Sequence, residues 1–239
     1  MSVNKYIGII LSAGNGKRLG NKYKNISKVL IPIYKKNTPL DYNIKILENF
    51  GVQKKFINTH KHHKKINQHI IKNYKTDNDI ELINENKLLG TAQSVFNISK
   101  LLKNYDKIVV LYGDNISKIN LKKTIKNYKI IKSDFCMVSN RIKDSGSSGV
   151  IKFNKKNKLI SFEEKNDNYK NKPNWVNSGI YIISKRIVKL IGKKKDFGHD
   201  FIPYLVKKNI SIEIFKTRSK ILTIDSPNLL KKTKKKIYF

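Results

Sequence analysis

The chain of 239 residues has a single cysteine, Cys136, and is poor in acids: 17 Asp and Glu stand against 51 Lys and Arg, a formal charge of +34. One cysteine excludes an internal disulfide and fits a reducing compartment. Its place in the apolar run Phe135–Val138 suits a buried small hydrophobe rather than a nucleophile or metal ligand. Long apolar runs are also missing, and no segment reaches the length of a membrane span. The polar start Met1–Lys5, followed by a short, Gly-interrupted apolar run, does not fit a signal peptide. A cytoplasmic protein without membrane insertion is expected. Arginine, the better fork for phosphates and bases, occurs only at Arg18, Arg141, Arg186 and Arg218. Lysine is instead spread through the chain among Asn and Ile, without a basic stripe interleaved with aromatics. The charge therefore predicts weak, salt-sensitive adhesion to polyanions and no specific nucleic-acid partner.

What is present is an alternation of short apolar runs with helix-period segments. Ile7–Leu11, Lys55–Thr59, Ile80–Asn84, Lys107–Leu111 and Phe135–Ser139 read as strands. Between them, Pro39–Phe50, Gly90–Leu102 and Leu121–Ile131 read as helices, the first with Thr38 as N-cap and Gly51 as stop. His60, His62, His63 and His69 fall on or near another helical stretch. With no Cys or carboxylate at ligand spacing, they read as solvated helix residues rather than a zinc site. After residue 140 the pattern changes. Gly149–Phe153 and Leu159–Glu163 form a hairpin signature, and Trp175–Ser184 is a further strand. Lys185–Ile191 and Phe201–Lys208 read as helices, Ile210–Phe215 and Ile221–Ile224 as strands, and Pro227–Lys236 as a last helix capped by Asp225 or Ser226. The expectation is one α/β domain over 1–239 with a mainly parallel central sheet flanked by helices. Residues 1–140 would form its first half and 141–239 a smaller, β-rich half.

Candidate chemistry begins where the first strand ends. Ser12-Ala13-Gly14-Asn15-Gly16-Lys17-Arg18 is a small-residue loop in which backbone N–H groups can approach an anion. Arg18 can fork onto phosphate oxygens, and Lys17 and Lys28 add point charges. The loop matches neither G-x-x-x-x-G-K-[ST] nor G-x-G-x-x-G, because position 19 is Leu. In parallel α/β sheets ligands bind beyond the C-terminal ends of strands. Asp114 lies at such an end and suits Mg²⁺, which takes a few carboxylates together with phosphate oxygens and water. Asp225 follows the last strand and could supply a second carboxylate. Glu163, Glu164 and Lys165 close a hairpin strand, and Gly179 interrupts an apolar strand, which marks a bulge or a close ligand approach.

Taken in order, Leu11–Leu19, Lys28-Val29-Leu30, Leu89-Gly90-Thr91-Ala92, Gly113-Asp114, Phe162-Glu163-Glu164-Lys165, Asn177-Ser178-Gly179-Ile180-Tyr181 and Asp196-Phe197-Gly198-His199-Asp200-Phe201-Ile202-Pro203 resemble the sugar-1-phosphate nucleotidyltransferases. The likeness is closest to the mannose-1-phosphate and heptose-1-phosphate guanylyltransferase type. The resemblance implies a Rossmann-like nucleotidyltransferase fold and the Mg²⁺-assisted reaction of an NTP with a sugar 1-phosphate, giving an NDP-sugar for surface glycans and pyrophosphate. It implies that Leu11, Ser12, Ala13, Gly14, Gly16, Lys17, Glu85, Gly90 and Thr91 bind the nucleotide, with Glu85 and Gly90 near the base. Arg18 would face the leaving pyrophosphate and Lys28 the α-phosphate. Asp114 and Asp225 would hold the metal, and Gly149, Glu164, Lys165, Asn177 and Gly179 the sugar phosphate. The resemblance also admits a homodimer, and it would make 1–140 the nucleotide-binding half and 141–239 the sugar-phosphate-binding half.

The sequence departs from the family pattern at three places. Ser27 stands where Pro usually precedes the lysine, and Lys17 where Thr or Ser is common. Thr223-Ile224-Asp225-Ser226-Pro227 replaces the common Asp-Ile-Gly-Thr-Pro ending, which puts the second metal position on Thr223 if Pro227 anchors the match and on Asp225 if the acid does. Asp225 is the expected ligand. Three alternatives stand beside this expectation: a cytidylyltransferase for another phosphorylated small molecule, a catalytically dead nucleotide-binding regulator, and a basic nucleic-acid-binding protein without catalysis.

Overall fold

The computed structural model describes residues 5–52, 54–74, 79–125 and 131–237. The first elements are β1 (Tyr6–Leu11), α1 (Pro39–Phe50), β2 (Lys54–Thr59), α2 (His63–Asn73), β3 (Ile80–Asn84), α3 (Thr91–Ser99), β4 (Lys107–Tyr112), β5 (Asn115–Ser117) and α4 (Leu121–Thr124). They are followed by β6 (Phe135–Ile142), β7 (Gly149–Phe153), β8 (Leu159–Glu164), β9 (Asn174–Ser184), α5 (Lys185–Lys189), α6 (Ile202–Lys207), β10 (Glu213–Thr217), β11 (Ile221–Thr223) and α7 (Pro227–Lys236).

Side-chain alternation along the central strands builds two apolar faces. Ile7 and Ile9 of β1, with Ile108 and Val110 of β4, pack against Val95 of α3, Ile187 of α5 and Leu205 of α6. Tyr6, Ile10, Val109 and Leu111 point the other way, onto Leu40, Ile44 and Leu47 of α1 and Ile66 and Ile70 of α2. The main sheet runs β10-β6-β9-β4-β1-β2-β3, with the β7–β8 hairpin attached to β9. Pairs β1·β2, β1·β4, β2·β3 and β6·β10 are parallel, as the strand–helix alternation predicts. The exception decides the site: β9 runs antiparallel between β4 and β6. Its N-terminal residues therefore lie at the edge where β1 to β4 end.

Several local expectations need adjustment. The predicted helix over Leu121–Ile131 is α4 at its start, and positions 126–130 lie outside the described residues. The strand expected over Ile210–Phe215 begins only at Glu213, because Ile210 N still donates to Leu205 O at the end of α6 and Ile212 O accepts from Leu159 N. A π-helical turn, Phe197–Phe201, precedes α6, with the Asp196 carboxylate capping Gly198 N and His199 N. The histidines are not simply solvated: His63 Nδ1 meets Thr59 Oγ1 at 2.8 Å, His60 Nδ1 donates to Glu85 O at 2.7 Å, and His69 Nε2 donates to Asp41. His63 and His69 tie α2 to its neighbours, His60 joins the turn before α2 to Glu85, and no metal-binding cluster forms among the described residues. Burial pushes the Cys136 thiol up to about 12, which leaves it an unreactive core side chain. No helix among the described residues is long and apolar enough to cross a membrane.

The start of α1 yields a pH-dependent test. Thr38 and Asp41 cap it reciprocally: Asp41 N donates to Thr38 Oγ1 at 3.4 Å and Thr38 N donates to Asp41 Oδ2 at 2.7 Å. Asp41 Oδ1 also accepts from His69 Nε2 at 2.7 Å and from Tyr74 Oη at 2.8 Å, fastening α2 to α1. Burial alone would raise the Asp41 carboxyl, but the bonds from His69, Thr38 and Tyr74 outweigh it and hold it below the usual aspartate range. A depressed folded-state pKa stabilises above the unfolded value of about 3.9, and that contribution is lost as pH falls through the lower folded value. Asp41→Asn is expected to cost about 1–2 kcal/mol at pH 7, with wild-type and variant denaturant midpoints converging below about pH 4.

Candidate active site

The parallel strands deliver their next residues to one edge of the sheet. Ser12 follows β1, Asn58 lies near the end of β2, Glu85 follows β3, and Asp114 lies just beyond β4. These residues line a cavity of about 580 Å³. Leu11, Ser12, Ala13, Gly14, Gly16, Lys17, Arg18, Lys28, Glu85, Gly90, Thr91, Asp114, Gly149, Glu164, Lys165, Asn177, Gly179 and Asp225, all singled out from the sequence, line it too. So do residues that were not, among them Asn58, Tyr112, Asn115, Ser148 and His199.

One end is a charged cluster. The Lys28 ammonium is ion-paired with both Asp114 and Asp225, and Arg18 reaches Asp225 at 3.1 Å. Lys28 sits on a 3₁₀ turn and is 9% exposed. Burial alone would lower its pKa, but the two carboxylates outweigh that and hold it above the ordinary lysine value. Burial likewise pushes Asp225 up, yet Lys28 and Arg18 bring it below the usual range. The pairing of β11 with β5 explains the meeting of two residues so far apart in sequence. Thr223 is in register with Asn115, so the antiparallel ladder carries Asp225 back beside Asp114. Thr223 itself is held in that ladder, and Asp225 is the carboxylate presented to Lys28. Gly16, which opens the turn bearing Lys17 and Arg18, has φ +63, a left-handed conformation that favours glycine.

The opposite wall comes from β9 and the hairpin. Opposite β6, the register of β9 shifts between Met137↔Tyr181 and Ser139↔Asn177, so Asn177–Gly179 bulge. Gly179 has φ +66, and a Cβ there would come within 2.8 Å of Asn115 Nδ2 and Tyr112 Cγ. Asn177 Nδ2 donates to Tyr181 Oη at 2.6 Å. Burial drives the hydroxyls of Tyr112 and Tyr181 well above the usual tyrosine range, so both stay protonated. Thr91 Oγ1 donates to Asp196 Oδ2 at 2.8 Å and accepts from Phe197 N at 2.9 Å, joining the start of α3 to the π-helical turn. Glu164 is raised by burial, partly countered by Lys165 and His199. Lys165 holds φ +48, uncommon for a lysine, at the end of the hairpin.

A third group sits beneath the loop after β1. Ser12 N donates to Asn58 Oδ1 at 2.6 Å, and Asn58 Nδ2 donates to Glu85 Oε1 at 3.0 Å. Glu85 Oε2, Ser12 Oγ and Asn15 Oδ1 are buried and have no hydrogen-bond partner in the protein. Such atoms are costly unless a bound molecule pairs with them. Nothing local in Phe56-Ile57-Asn58 marks Asn58 as more than a strand residue, and only the β1·β2 register brings it to Ser12.

Residues 7–219 match the family described as nucleotidyl transferase. The glucose-1-phosphate adenylyltransferase of Clostridium novyi (strain NT) is 27% identical over 236 residues, covering 89% of this chain and 61% of the relative. The bifunctional protein GlmU of Methanocaldococcus jannaschii is 30% identical over 187 residues, covering 78% and 42%. The chain thus spans less than two thirds of the length of these curated relatives. Among solved structures, HddC from Yersinia pseudotuberculosis complexed with GMP-PN matches at 26% identity and a TM-score of 0.78, covering 97% of this chain and 99% of that one. A Bacillus anthracis structure at 20% identity and a TM-score of 0.81 shares the fold.

Proposed function

Because the chain belongs to the nucleotidyl transferase family, we propose that it joins GTP to a mannose- or heptose-like sugar 1-phosphate, releasing pyrophosphate and an NDP-sugar destined for surface glycans. The observation that carries this is the convergence of Arg18, Lys28, Asp114 and Asp225 at one end of a cavity whose other wall holds Glu164, Lys165 and Asn177. In the reaction a phosphate oxygen of the sugar 1-phosphate bonds to the α-phosphorus, and the bond from that phosphorus to the bridging oxygen of pyrophosphate breaks. The attacking oxygen is already ionised near neutral pH, so no general base is required. Catalysis rests on alignment and charge neutralisation. Lys28 is assigned to the α-phosphate and Arg18 to the departing pyrophosphate. Glu164 and Asn177 are assigned to sugar hydroxyls and Lys165 to the sugar phosphate.

The donor set fits a hard divalent cation, since Asp114 and Asp225 turn carboxylate oxygens toward one ammonium-sized point. These two residues would hold Mg²⁺. When bound, it would add positive charge against the triphosphate oxygens.

Glu85 supports guanine as the base. Its carboxylate is 7% exposed and held by Asn58, which leaves Oε2 as an acceptor. An ionised carboxylate only accepts hydrogen bonds. Guanine presents two adjacent donors, N1–H and the 2-amino group. Adenine and cytosine set a ring-nitrogen acceptor beside their amino group, and uracil sets its one N–H between two carbonyls. The GMP-PN in the HddC structure is consistent with this choice. Pyrophosphate release should be about 10- to 100-fold more efficient in kcat/KM with GTP than with ATP, CTP or UTP. Glu85→Gln should erase most of that preference. Best turnover with CTP would overturn guanine in favour of cytosine, and no release with any NTP across a panel of sugar 1-phosphates would overturn the enzyme assignment.

A further inference from the structure

Asn43 is the fifth residue of Pro39–Phe50, which reads simply as an amphipathic helix, and it carries no site signal of its own. In the fold it is 2% exposed on α1, directly beneath the loop that bears Asp114. Its Nδ2 donates to Asn115 O at 2.9 Å, to Gly113 O at 3.3 Å and to Pro39 O at 2.9 Å. Three carbonyl acceptors around one terminal atom require that atom to be the NH₂. The two loop carbonyls are those of the residues on either side of Asp114. Asn115 in turn donates from Nδ2 to Ser178 O at 2.9 Å, within the β9 bulge.

We propose that Asn43 is a positioning residue for Asp114: its amide clamps the carbonyls flanking Asp114 and thereby sets where the carboxylate stands relative to Asp225. The physical basis is that β5 starts immediately after Asp114, so this short connection between β4 and β5 is aimed by what grips its peptide groups. Helix α1 is a rigid support for that grip, since Leu40, Ile44 and Leu47 are fully buried against the sheet. Removing the donor takes one hydrogen bond from each flanking carbonyl at once. Residues that orient a metal ligand from behind typically change metal affinity by about 10- to 100-fold when removed.

This inference rests on Asp114 being a metal ligand, as proposed above, and the test separates the two. Mn²⁺ binding is measured directly by electron paramagnetic resonance without nucleotide, beside the Mg²⁺ dependence of pyrophosphate release and the thermal midpoint. Asn43→Leu should weaken Mn²⁺ binding about tenfold and raise the Mg²⁺ concentration for half-maximal rate similarly, with much of kcat returning at saturating Mg²⁺. Asn43→Gln, which keeps an amide donor, should recover part of the affinity. Ile46→Ala, on the same helix and buried in the core away from the site, should lower the thermal midpoint and leave Mn²⁺ affinity unchanged. If Asn43→Leu cannot be purified folded, Asn43→Ser asks the same question with a smaller side chain that cannot reach both carbonyls. Unchanged Mn²⁺ affinity in the Asn43 variants, with only the thermal midpoint lowered, overturns the positioning role. Unchanged Mn²⁺ affinity in Asp114→Asn instead overturns the metal assignment beneath it.

Discussion

Asp114→Asn is expected to lower metal-dependent pyrophosphate release by about 10³-fold or more while the protein stays folded. The change keeps the shape of the side chain and removes its charge. Loss of a cation that neutralises the triphosphate is worth several kcal/mol of barrier, and each 1.36 kcal/mol is about tenfold in rate. The fold should tolerate it, because Asp114 is about a quarter exposed and its loop is held through its neighbours' carbonyls rather than through the carboxylate. The expected pattern is turnover close to background at any attainable Mg²⁺ concentration, with a thermal midpoint near that of the wild type. Turnover within about threefold of wild type would remove Asp114 from the metal site, whatever else the cavity does.

Lys28→Ala should lose activity and stability together, with a recognisable dependence on metal. In the reaction, the loss of a preorganised cation at the α-phosphate is expected to cost about 10²- to 10³-fold in kcat. In the free protein, Lys28 is the shared counter-charge of Asp114 and Asp225, whose side chains are 27% and 29% exposed. Removing it leaves two carboxylates facing each other. For a fully buried pair the cost would be about 3–5 kcal/mol, and partial solvent access reduces this to about 1–2 kcal/mol. Mg²⁺ should replace the missing charge, so it should raise the thermal midpoint of Lys28→Ala more than that of the wild type. Equal stabilisation of both proteins by Mg²⁺ would argue against the two carboxylates sharing a metal. Ser27, which stands where the family pattern has Pro, is buried, and Leu30 N donates to Ser27 O at 2.9 Å to close the turn bearing Lys28.

Much of the architecture was legible because strands and helices announce themselves through near neighbours in sequence. The runs Ile7–Leu11 and Lys107–Leu111 are apolar without alternation, which is the pattern of strands covered on both faces. Thr38-Pro39 and Gly51 bound α1 by capping chemistry alone, and both caps form. Once parallel strands are granted, ligands belong at their C-terminal ends. That rule placed Asp114 and the loop beginning at Ser12 at strand ends before any contact was known, while Glu85 came from the family resemblance alone.

Tertiary structure decided what those residues do to one another. The sequence left Thr223 and Asp225 as rivals, and the β5·β11 ladder brings the Asp225 carboxylate to Lys28. It marked Gly179 as a bulge or a close ligand approach; in the fold Gly179 lies in the β9 bulge, and Asn115 and Tyr112 fill the space a Cβ would need. Asn58 and Asn43 carried no signal, because an asparagine in a strand or helix looks alike whether its amide meets water or a carbonyl from a distant loop. By itself the sequence determined most of the elements, their order and the charged groups at the strand ends, since these follow from local propensity and periodicity, but not β5 or the π-helical turn. Only the tertiary structure paired Ser12 with Asn58, Asp114 with Asp225 and Asn43 with the Asp114 loop. Those contacts depend on strand register and helix packing, which the burial of the whole core sets and no single stretch encodes.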